Sequence, residues 1–73
     1  MYRRIRELRE DKDLPQKELA AFLNCTQVAY SRYELGTRDI PTDVLIKLAE
    51  YHNVSVDFML GLTDVQQPYP RVK

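Results

Sequence analysis

The chain has no tryptophan, one cysteine, two glycines and no apolar run approaching the roughly 18 residues of a membrane-spanning helix. Each scarcity removes a class of protein. With Cys25 alone, neither an internal disulfide nor a cysteine-built metal site can form, and a lone thiol fits a reducing cytosol. The single histidine, His52, has no carboxylate cluster or glycine-rich phosphate loop to join, so no catalytic site, cofactor or metal is expected. No signal-peptide pattern precedes the first helix. The expectation is a soluble cytoplasmic protein without membrane contact and with no small-molecule ligand evident. A surplus of one charge is also missing, because eleven Lys and Arg balance eleven Asp and Glu. Many DNA-binding domains carry an overall basic footprint; here any such binding must rest on local charge.

What is present is helical patterning over a chain of single-domain length. At 73 residues a domain buries roughly 60% of its unfolded surface, so the core is small. Gln16–Leu23 carries Leu19, Ala20, Phe22 and Leu23 at helical spacing, and a second helical run covers Gln27–Leu35. Between them, Asn24 tolerates a left-handed backbone that ends a helix, and Thr26 can cap the next one. Gly36 ends the second run in the same left-handed way. Two short helices joined by a three- or four-residue turn form a helix-turn-helix pattern. On the second helix Tyr30 and Tyr33 point inward with Cys25. The other face offers Gln27, Val28, Ala29, Ser31 and Arg32 and no acid before Glu34. A major groove admits such a helix; Gln and Arg can pair bidentately with adenine and guanine edges, and apolar side chains can touch a thymine methyl. These five are the candidate base-reading residues.

The stretch LPQKELAAFLNCTQVAYSRYELGTRDIP resembles the phage-repressor and Cro-like helix-turn-helix family, also called xenobiotic-response-element regulators. The resemblance runs from Ile5 through VSVDFMLG to Gly61. It implies an all-α, five-helix, lambda-repressor-like domain over residues 1–62, with the helix-turn-helix at its second and third helices. It also implies an ion pair in which Arg9 of the first helix (2–11) meets Glu34. Gln16 matches a phosphate-bonding glutamine, with Lys17 and Thr26 as further phosphate candidates, and Thr37 and Arg38 match the loop that follows the DNA backbone. The family often pairs subunits around the last helix, which nominates Phe58, Met59, Leu62 and Val65 as a dimer surface, unless Phe58 and Leu62 simply close the core. Pro15 departs from the pattern, because it stands where a Ser, Thr or Asn cap is usual.

The remaining residues fill in the frame. Arg3, Arg4 and Arg6 read as a solvated helix face. Thr42 reads as the cap of a fourth helix with Val44, Leu45, Leu48, Ala49 and Tyr51 inward. His52 reads as a charge-compatible end residue, Asn53 repeats Asn24, and Ser55 caps a fifth helix, Val56–Leu60, closed by Gly61. Residues 63–73, with Pro68-Tyr69-Pro70, form an extended tail that is either mobile or strapped against the domain or a second copy. The expected function is a sequence-specific double-stranded DNA-binding transcriptional regulator, a repressor acting as a homodimer on a palindromic operator. The alternative is a protein-binding module of the same fold, antitoxin-like or an anti-repressor partner, with weak DNA affinity; the neutral charge favours it.

Overall fold

A left-handed residue follows every helix. In the computed structural model, which describes residues 2–70, the helices are α1 (Arg3–Asp11), α2 (Gln16–Phe22), α3 (Gln27–Leu35), α4 (Thr42–His52) and α5 (Val56–Met59). No strand occurs among the described residues. Asp13, Asn24, Gly36, Asn53 and Gly61 follow them in turn, with φ between 54° and 79°. Three of the five are Asp or Asn, whose short polar side chains tolerate this region where β-branched residues clash. Asn24, Gly36, Asn53 and Gly61 fall where the residue types place them. Asp13 carries no comparable signal, because Lys12–Pro15 reads only as a connection.

Helix starts divide into two kinds. Thr26 Oγ1 accepts from Ala29 N at 3.1 Å and Ser55 Oγ from Phe58 N at 3.0 Å, so α3 and α5 are capped as expected. Pro15 and Pro41 stand at the cap positions of α2 and α4 and supply no side-chain bond. Thr42 is therefore not the cap of α4. The Pro41 carbonyl already takes the Leu45 N–H at 3.0 Å, which makes Thr42 the first helical residue.

The core gathers one or two residues from every element: Ile5, Leu19, Ala20, Leu23, Tyr30, Tyr33, Leu48, Ala49, Val54 and Met59. Burial of each large apolar side chain contributes roughly 1.5–3 kcal/mol. Met59 is 1% exposed, so it belongs to this core and has no dimer surface to offer. Phe58 is half-buried against the same cluster, while Leu62 and Val65 are exposed.

Two further expectations change, and one open alternative closes. Arg4 is not a solvated charge: its guanidinium lies 4.2 Å from the Phe58 ring centroid and donates to the carbonyls of Phe58 and Thr63 and to Asp64 Oδ1. His52 is not an open helix-end charge, since it is buried at 5% exposure. Its Nδ1 faces Lys12 Nζ at 3.2 Å, and its Nε2 is buried without a partner. Burial first, and the Lys12 ammonium second, lower its pKa to about 4, so the ring is neutral at ordinary pH. The tail is a strap over residues 63–70. Ser55 donates its N–H to Gln66 O at 2.9 Å and its hydroxyl to Val65 O at 3.2 Å, and the Tyr69 hydroxyl donates to Asp57 Oδ2 at 2.5 Å. Its last three residues, 71–73, lie outside the described part.

Candidate nucleic-acid interface

Helix α3 is held from behind. Tyr30 and Tyr33 anchor it in the core, and Glu34, 3% exposed, receives Arg9 from α1 through Nε–Oε2 at 2.7 Å and Nη2–Oε1 at 3.2 Å. Arg9 Nη1 also donates to Leu14 O at 2.8 Å, and Gln16 Nε2 donates to Glu34 Oε1 at 3.2 Å. The planar fork of an arginine suits such a two-point pairing. Burial alone would raise the Glu34 carboxyl. The bonds from Arg9, with Tyr30 and Gln16 beside them, more than offset it, and the group sits below the usual carboxylate range. The Tyr30 hydroxyl is buried beside this pair, close enough to both Glu34 and Arg9 to act on their charges. Burial, then the neighbouring carboxylate, push that phenol well above its ordinary range. The expected Arg9–Glu34 contact is therefore present and ties α1 to α3. Neither Tyr30 nor Tyr33 presents its ring to solvent, and the buried Tyr30 hydroxyl has no route to a phosphate.

The opposite side of α3 is open. Gln27 and Arg32 are exposed, Val28 is 61% exposed, and Ala29 and Ser31 are half-buried between them. Gln16, Gln27, Val28, Ser31, Arg32 and Leu35 line a shallow concavity of about 430 Å³. Neither the strap nor α1 contributes to that lining. Leu35, 56% exposed, joins this face although it is absent from the candidate base-reading set. Its position seven residues after Val28 on one helix was the signal available.

The remaining candidates scatter around this face. Lys17 is exposed on the first turn of α2. Thr26 is exposed, and its hydroxyl keeps an O–H to donate while accepting from Ala29. In the loop after α3, Gly36 N and Thr37 N donate back to Tyr33 O and Arg32 O. Those two N–H groups are consumed by the helix end, which leaves Thr37 its hydroxyl. Arg38 is exposed, with its guanidinium 5.8 Å from the Tyr33 ring centroid. With Glu34 paired inward, residues 16–39 set Lys17, Arg32 and Arg38 against Glu18 and Asp39.

Two short helices crossing over a tight turn, the second with a polar face exposed, define a helix-turn-helix unit. The helix-turn-helix family model matches residues 5–59, and the chain belongs to that family, of the xenobiotic-response-element type. Curated relatives from Bacillus subtilis (strain 168) agree. The chain is 39% identical over 70 residues to the uncharacterized HTH-type transcriptional regulator YobD, covering 96% of this chain and 61% of that protein. It is 40% identical over 65 residues to the HTH-type transcriptional regulator ImmR, covering 89% and 51%. It is 35% identical over 63 residues to the SPbeta prophage-derived uncharacterized HTH-type transcriptional regulator YonR, covering 86% and 58%. The chain thus spans roughly half to three fifths of the length of these relatives.

Proposed function

We propose that this chain is a sequence-specific double-stranded DNA-binding transcriptional regulator that inserts α3 into the major groove and represses by occupying its site. The observation that carries the reading is the open face of α3, an amide, a valine and a guanidinium propped by two buried phenols and a buried ion pair. Its regulator-named relatives support it. Gln27 is the first base reader, paired with adenine; Val28 and Ala29 meet a thymine methyl, and Ser31 and Arg32 extend the contact. Gln16, Lys17, Thr26, Thr37 and Arg38 set the register on phosphates. The protein acts in the cytoplasm as a homodimer on a palindrome with half-sites about 34–36 Å apart. Leu62 and Val65, both exposed, and half-buried Phe58 are the dimer candidates that remain once Met59 is assigned to the core.

Selection of bound duplexes from a random pool tests this reading. One palindrome should be enriched, and Q27A should lose its adenine preference. Enrichment of no sequence, with no complex even at low salt, would favour the protein-binding reading that the zero net charge supports. A DNA complex should weaken with salt at a slope near −0.9 per phosphate neutralised, so R38A should flatten the slope by about that amount.

A further inference from the structure

Gln16 stands between the buried ion pair and the open face of α3. It lines the concavity beside Gln27 and Val28, and it also lines the smaller recess around Arg9, Ser31 and Glu34. Its Nε2 is committed to Glu34 Oε1, an oxygen that also accepts from Arg9. A glutamine amide has two N–H donors on one atom and an acceptor on the other, and a free one flips readily between the two orientations. Beside a carboxylate the flipped form would set two acceptors oxygen to oxygen. The carboxylate therefore selects the orientation in which nitrogen faces Glu34, and the second N–H stays available on the concavity side. Arg9 grips Glu34 at both oxygens and keeps that carboxylate ionised and in place.

We propose that Glu34 is a positioning residue for DNA binding, fixing the Gln16 amide so that its second N–H is delivered to a phosphate oxygen of the duplex. This rests on the DNA-binding reading and deepens it. The pair that joins α1 to α3 thereby also orients a contact on α2. A phosphate oxygen is only an acceptor, so an amide held nitrogen-first needs no reorientation on binding, whereas a freely flipping amide must first be ordered.

Two measurements test the proposal. In the free wild-type protein, NMR should find one Gln16 side-chain amide proton exchanging with solvent at least several-fold more slowly than those of exposed Gln67. Gln16 protons that exchange like those of Gln67 would overturn it, whether or not DNA binds. The second measurement uses a short mixed-sequence DNA duplex at low salt. Q16A should weaken binding about tenfold, the loss of a hydrogen bond to a charged group. Its salt slope should not change, because a neutral amide displaces no counterion. In an R9M/E34L background, where an apolar pair replaces the ions and such replacements are commonly tolerated, Q16A should cost no more than about twofold. An equal cost in both backgrounds would overturn the proposal while leaving DNA binding intact; failure of the wild type to bind any duplex would count against the DNA reading, with the NMR arm still deciding the orientation of Gln16.

Discussion

Lowering the pH from about 7.5 to about 5 is expected to destabilise this domain by about 2 kcal/mol through His52 alone. The imidazole is 5% exposed, and burial followed by the Lys12 ammonium lowers its pKa from 6.5 to about 4. Tyr51 closes the same corner, its ring edge-on to the imidazole and its carbonyl 3.4 Å from Lys12 Nζ. Because the folded-state value is the lower one, between about pH 6.5 and about pH 4 the unfolded chain takes up a proton that the folded chain refuses. Stability is complete above that window, falls as the pH drops through it, and loses nothing more from this group below it. The whole window is worth about 3 kcal/mol at about 1.36 kcal/mol per pKa unit, and most of it is gone by about pH 5. In a domain of this length, where each kcal/mol moves the Tm by about 4–8 °C, the drop is about 8–16 °C. Urea unfolding followed by circular dichroism at the two pH values measures it, with H52L as the control. That variant removes the titrating ring and its partnerless Nε2, and its stability should change by less than about 0.5 kcal/mol over the same interval. Glu34 acts lower on the scale: its folded-state pKa is depressed, so its contribution is present above the ordinary carboxylate value and disappears as the pH falls through the lowered one. A wild-type loss under about 0.5 kcal/mol, or an equal loss in H52L, refutes the reasoning.

Removing Arg9 strands a buried carboxylate, so R9A should cost about 3 kcal/mol or more near neutral pH. In thermal melts that cost should shrink as the pH falls, because the lone Glu34 can then take a proton; a small cost that ignores pH would show that the pair contributes little. R4A deletes bonds to two backbone carbonyls and the contact with Phe58, and should cost about 1–3 kcal/mol. In the same variant the Ser55 amide, which donates to Gln66 O, should exchange faster with solvent, and unchanged protection would mean the strap does not depend on Arg4.

The frame was legible because its signals are local. Helical spacing in 16–23 and 27–35, a hydroxyl at Thr26 and Ser55, and Asn or Gly after a helix each act within one turn, and each stands where that chemistry puts it. The Arg9–Glu34 contact is long-range. The family resemblance, not any local signal, supplied it. What escaped depends on packing between distant parts of the chain. Arg4 looks identical to Arg3 and Arg6 until the strap returns 59 residues later to offer a carbonyl. His52 looks like a favourable helix-end cation until the ring contacts of Tyr51 and the approach of Lys12 enclose it. Met59 and Leu62 are equally apolar in the sequence, and only the turn at Gly61, with φ 79°, sends one inward and leaves the other 74% exposed.

The inward-turned carboxylate on α3 also bears on how such a protein would search a genome. With Glu34 neutralised from behind, residues 16–39 keep three cations, Lys17, Arg32 and Arg38, against Glu18 and Asp39. On a DNA-binding reading, so sparse a set displaces few counterions, and the grip on arbitrary sequence is correspondingly faint. On that same reading, visits to the wrong sites would be brief, and dwell time would be set by how well the proposed readers Gln27, Val28 and Arg32 match the bases beneath them.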